Sequence, residues 1–163
     1  MREHRPQASD WPGLIIDVVE EQIVSELGLA NELNRKLAEF NVKLAIDDFG
    51  KGYSTLMKLK ELPFAEMKLD RSFVVGCGTD KVHAPLCKTV IDLAHNFGAL
   101  AVAVGLERAS DAMALVSMGC DLGQGFLFGQ PMPEQRFIAL LKQRVTVRAT
   151  AVDPTAEHAL QPA

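Results

Sequence analysis

No stretch of the sequence approaches the ~20 apolar residues that a membrane-spanning helix needs, and Met1-Arg2-Glu3-His4 does not begin as a secretory signal does. A cytoplasmic protein without a membrane span is therefore expected. Cysteine is scarce. Cys77, Cys87 and Cys120 are odd in number and lack the paired spacing of a metal site, which suits free thiols in a reducing compartment. Nothing beside them in sequence would lower a thiol pKa, so thiol chemistry is not expected. A large excess of charge of either sign is missing as well. A net charge of −4 offers no electrostatic pull toward nucleic acid or a membrane surface. An anionic ligand stays compatible with it, because helix N-termini and a single lysine can set the field inside a site. Internal repeats and low-complexity tracts are absent too.

What is present is ordinary globular composition, with 48% hydrophobic and 23% charged residues, enough for one domain with a core in 163 residues. Strand and helix signals alternate along it. Strands are predicted at Leu14–Val19, Val42–Asp47, Ala65–Leu69 and Ala99–Gly105, with an interrupted strand region at Cys120–Leu122 and Phe126–Phe128. Between them, Leu29, Leu33, Leu37 and Phe40 space out a helix face over 27–40. Ser54 would cap a helix ended by Pro63, and Val90, Leu93, Ala94 and Phe97 mark a helix over 84–97 that Gly98 stops. Ser110 would cap a helix to Met118, and Pro133 fits the first turn of a closing helix through Lys142. About five βα units in series imply a parallel sheet with right-handed crossovers. Residues 1–13 read as a polar N-terminal arm, 14–143 as the folded domain and 144–163 as a flexible tail.

The chemistry sits at the strand ends. Asp47 and Asp48 close an apolar run and lead into Phe49-Gly50-Lys51-Gly52-Tyr53-Ser54. Two acids at a strand tip suit a divalent metal, although Asp before Gly and Ser also simply begins helices. Lys68 and Asp70 follow the next strand, Glu107 follows Ala103-Val104-Gly105, and Gln124 stands between Gly123 and Gly125. His83 and His95 fall on no strand tip and read as surface or capping residues.

Taken in order, the segments DDFGKGYS, KLDRSF, AVGLE and GCDLGQGFLFGQPMP resemble the EAL domain family over about Pro12 to Lys142. Members of that family are phosphodiesterases or receptors for the bacterial second messenger cyclic di-GMP. The resemblance implies an α/β fold of TIM type. A closed (β/α) barrel typically takes roughly 250 residues, so an incomplete barrel is expected here. It also implies that Asp17, Asp47 and Asp48 are metal ligands for Mg²⁺ or Mn²⁺, and that Lys68 and Asp48 carry what remains of the catalytic centre. Asp70, Arg71, Glu107, Gln124 and Pro131 take positions near the ligand, and Glu20 matches the acid that steadies the DDFG loop. Phe126 and Phe128 read as core and barrel-mouth packing rather than base-stacking platforms.

Departures from the family pattern are as telling. The Glu-Ala-Leu triplet behind the family's name, whose glutamate binds metal, occurs nowhere in the chain, and the strand supplying an asparagine ligand has no counterpart. Asp17 stands where the family has a metal-binding glutamate, which withdraws the carboxylate by roughly 1.5 Å. Val104 replaces a glutamate of the catalytic centre, and Gly129-Gln130-Pro131 replaces Ser-Arg-Pro. Three carboxylates alone would make at best a weak, well-hydrated metal site, and without it no cofactor is expected. An ion pair of Lys68 with Asp47 or Asp70 is the bland alternative to a catalytic lysine. The leading expectation is a degenerate module with a regulatory or interaction role. The alternatives are a cyclic di-GMP receptor that binds without cutting and a phosphodiesterase completed by another chain. An arc of five βα units leaves two strand edges unpaired, to be covered by self-association, by the N-terminal arm or by a partner protein.

Overall fold

The computed structural model describes residues 13–50 and 59–150, without the side chains of 23–25 and 144–150. Its five strands are β1 Leu14–Val19, β2 Val42–Phe49, β3 Glu66–Leu69, β4 Leu100–Val104 and β5 Leu122–Gln124. The helices are α1 Glu20–Ser25, α2 Leu27–Ala38, α3 Arg71–Val74, α4 His83–Asn96, α5 Ala109–Ser117 and α6 Glu134–Thr150. The strands form one sheet in the order β1-β2-β3-β4-β5, every neighbouring pair parallel. Consecutive parallel strands need crossovers, and among the described residues helices lie between β1 and β2, between β3 and β4 and between β4 and β5. Two compact units divide the chain, one ending at Gly129 and the other beginning at Gln130.

One face of the sheet makes the core. Alternate residues Val42, Leu44 and Ile46 of β2 join Met67 and Leu69 of β3, Ala101 and Ala103 of β4, and Cys87, Ile91 and Ala94 of α4. Five of the eight β2 residues are buried, from both faces of the strand, the pattern of an inner parallel strand. α4 turns through Phe97 into Gly98, whose φ of +74° ends it where a side chain would be strained. Asp111 of α5 is buried and accepts from the N–H groups of Gly76 (3.1 Å) and Gly78 (3.0 Å), tying α5 to the loop after α3.

Several local expectations are corrected. Phe126–Phe128 is a turn, not strand, and both phenylalanines are exposed rather than core. Ser110 does not cap α5: the helix begins at Ala109 with Arg108 in the cap position. Pro133 precedes α6, its carbonyl accepting from Arg136 and Phe137. That helix continues to Thr150, past the expected end at Lys142 and into the segment read as tail. Of the face predicted for α2, Leu37 is buried but Leu29 and Leu33 are exposed. α1 and α3 were not anticipated; both are too short for a 3.6-residue period to show. Most of the N-terminal arm, the helix cap at Ser54 and residues 151–163 lie outside the described residues.

Candidate functional site at the C-terminal ends of the strands

Parallel strands bring all their C-terminal ends to one rim, and that rim holds Glu20, Asp47, Asp48, Asp70, Val104 and Gln124. At β1, the buried Glu20 follows the last strand residue and accepts from the Gly50 N–H at 3.1 Å. The acid thus holds the turn that follows the Asp pair, as its family counterpart is expected to do. Gly50 has φ +103°, and a Cβ there would lie 2.5 Å from the Phe73 ring, so only glycine lets this turn close.

Asp47 and Asp48 sit half-buried where the β2–β3 register shifts between Ile46 and Phe49. Asp48 has φ +55°, a left-handed conformation that aspartate tolerates better than most residues. The irregularity re-aims the carboxylates relative to a straight strand.

Lys68 does not pair with Asp47 or Asp70. Its Nζ lies 2.5 Å from Asp17 Oδ2, bridging β3 to β1 across the intervening strand. Ala45, in register with Asp17, lies between them, and its single methyl leaves room for the crossing. The lysine side chain is 11% exposed and the aspartate 44%. Asp70 is engaged too: it caps α3, accepting from the Ser72 N–H at 2.9 Å and from the Ser72 hydroxyl.

Beyond β4, Gly105 (φ +81°) lies directly under the Arg71 stem, where a Cβ would meet Arg71 Cγ at 2.5 Å. Arg71 then pairs with Glu107 at 2.6 Å, both side chains exposed. Gln124 is exposed, and its backbone carbonyl accepts from the N–H groups of Gly105 (2.8 Å) and Leu106 (3.1 Å). A Cβ at Gly125 would stand 2.2 Å from the Leu106 carbonyl, so the Gly-Gln-Gly segment is glycine-rich for backbone packing. Pro131 lies in the second unit, exposed.

The donor set does not fit a self-contained metal centre. Among the described residues, no group of three or more His, Cys, Asp or Glu side chains is gathered to hold an ion. Asp17, read from sequence as the third ligand, instead faces an ammonium. Sequence reasoning also missed Asp121, which accepts from the Ala101 N–H and meets His95 Nε2, each at 2.8 Å. Those contacts, the backbone bond first, hold its carboxyl below the usual range. Burial pushes all three thiols up, Cys87 to about 12, which keeps them out of nucleophilic chemistry.

The EAL domain profile matches residues 4–131. The cyclic di-GMP phosphodiesterase RocR of Pseudomonas aeruginosa is 36% identical over 135 residues, 83% of this chain and 33% of RocR. The bifunctional diguanylate cyclase/cyclic di-GMP phosphodiesterase MucR of the same organism is 34% identical over 126 residues, 77% of this chain and 18% of MucR. Among solved structures, the EAL domain of Mycobacterium smegmatis DcpA superimposes with a TM-score of 0.73 at 36% identity, covering 79% of this chain and 58% of that one. The chain thus spans a third or less of these two curated relatives. Its parallel sheet is part of the TIM-type barrel of those neighbours. Ordered motifs, sheet topology and these comparisons agree, and the chain belongs to the EAL domain family.

Proposed function

We propose that this chain serves cyclic di-GMP signalling as a degenerate EAL module, without hydrolytic activity and in a regulatory or interaction role. The observation that carries the proposal is the ion pair between Lys68 and Asp17. That contact commits Asp17 Oδ2 and one Lys68 N–H donor to each other, which competes with a metal for the carboxylate and with a phosphate for the ammonium. Val104, at the tip of β4, offers neither a base nor a ligand. General acid–base groups typically contribute about 10²–10⁴-fold in rate, so their loss leaves little turnover.

The named activity of RocR and MucR supports cyclic di-GMP as the ligand class. In this reading Asp70, Arg71, Glu107 and Gln124 line what ligand surface remains, Glu20 anchors the Asp47–Asp48 turn, and any Mg²⁺ or Mn²⁺ is held weakly by those two carboxylates. The competing reading, a phosphodiesterase completed by another chain, is opposed by Val104 whatever that chain supplies.

Calorimetric titration with cyclic di-GMP in Mg²⁺ buffer, with chromatography of the mixture afterwards, tests this. The expected result is no linear dinucleotide. Saturable heat without product would assign a receptor role, whereas continuing heat with product would overturn the proposal.

A further inference from the structure

Two of the three thiols meet in the core. Cys77 is 2% exposed and Cys87 wholly buried, both in the cluster that packs one face of the sheet. The end of α3 brings them together. The Phe73 carbonyl accepts from the Cys87 thiol at 3.3 Å, and the next carbonyl, that of Val74, accepts from the Cys77 N–H at 3.2 Å. The two sulfurs stand within hydrogen-bonding reach of each other. Cys120 is engaged elsewhere, with the carbonyls of Ala101 and Leu122, each at 3.4 Å. Cys77 sits between Gly76 and Gly78, whose N–H groups both donate to the buried Asp111 carboxylate, while residues 78–82 are exposed. One side chain thus latches an otherwise exposed loop, and segments of this kind open locally at lower cost than the whole fold.

We propose that Cys77 and Cys87 are a latent disulfide site, oxidised by a small organic disulfide such as oxidised glutathione when the loop over 75–82 unfolds locally. In the closed fold burial keeps both thiols protonated and unreactive. Opening exposes Cys77 and relieves the burial of Cys87. The Cys77 thiolate then attacks one sulfur of the oxidant, whose S–S bond breaks and expels one thiolate. The Cys87 thiolate attacks the Cys77 sulfur of that mixed disulfide, forming the Cys77–Cys87 bond and expelling the second thiolate. The two protons given up by the cysteines go to the two expelled thiolates. Two cysteines are thereby oxidised, and one oxidant disulfide is reduced to two thiols. In a reducing compartment such a bond is transient. Its place in the fold gives it a consequence, because α3 also carries Phe73, whose ring lies against Gly50 in the turn after Asp47 and Asp48. The site does not depend on the function proposed above.

The test incubates the folded full chain with oxidised glutathione at mildly alkaline pH. Intact mass is then measured, and peptides are mapped without reductant after the remaining thiols are blocked. The expected product is a monomer two hydrogens lighter than the parent, with one cross-linked peptide joining Cys77 to Cys87, and dithiothreitol should restore the parent mass. Its Tm should exceed that of the reduced chain, because the bond constrains the unfolded state. The Gly76 and Gly78 amides should exchange hydrogen more slowly once the bond has formed. A bond that involves Cys120, one that joins two chains, or one that forms only in urea would overturn the proposal. So would a mixed disulfide that persists on Cys77, or an oxidised chain that melts below the reduced one. A Cys87→Ala chain that takes up no glutathione at Cys77 would do the same.

Discussion

Removing Asp17 should destabilise the chain far more than removing its partner. The pair is asymmetric: the Lys68 side chain is 11% exposed and the Asp17 side chain 44%. Asp17→Ala leaves an ammonium buried without a counter-charge. Breaking a fully buried pair costs about 3–5 kcal/mol and an exposed one at most about 1 kcal/mol, so this half-buried case should lie at about 1–3 kcal/mol. Lys68→Met instead leaves a carboxylate that water can solvate and fills the lysine's place with an unbranched apolar chain. Its effect should stay within about 1 kcal/mol. The double variant should therefore recover much of the Asp17→Ala loss, with a coupling energy of about 1–2 kcal/mol. Urea unfolding of the four proteins, fitted with a common m-value, measures this directly. Two results would refute the reasoning. One is an Asp17→Ala variant as stable as the parent in metal-free buffer. The other is a parent Tm that rises in millimolar Mg²⁺ while the Asp17→Ala Tm does not, since Asp17 would then be holding a cation rather than Lys68.

Asp111→Ala removes a buried carboxylate that accepts from two backbone N–H groups and should lower stability by about 2–4 kcal/mol in the same urea assay. Gly125→Ala places a methyl 2.2 Å from a backbone carbonyl and should depress the Tm sharply, whereas Gly28→Ala, in α2 with nothing within 4 Å, should stabilise by about 0.5–1 kcal/mol. The folded pKa of Asp121 is lowered, so its stabilising contribution is present above the unfolded carboxylate value near ~3.9 and is lost as pH falls through the folded one. Asp121→Asn should accordingly flatten the acid limb of a Tm-against-pH profile. Cys87 is fully buried with its pKa pushed up to about 12, so a thiol reagent at mildly alkaline pH should label it only at the rate of unfolding.

The sheet was legible because its information is local. Apolar runs such as Val42–Ile46 and helix-stopping glycines such as Gly98 announce elements from their own neighbours, and βα alternation leaves parallel order as the natural arrangement. The strand-tip positions of Asp47, Asp48 and Gln124 followed from the same reading, whereas the contact from Glu20 to Gly50 has no local signal and was suggested only by the family resemblance. Pairing across strands was not local. Asp17 and Lys68 are 51 positions apart, and they meet because β1 and β3 flank the same β2 register with only the Ala45 methyl between them. Asp111 looked like one more acid in a helix until folding turned it onto the Gly76–Gly78 loop. The sequence by itself determined the family, the order of the elements and the strand ends that carry the acids. Only the tertiary structure decided which charges meet, because side-chain partners are set by the register and curvature of the whole sheet, and no local window of sequence contains either.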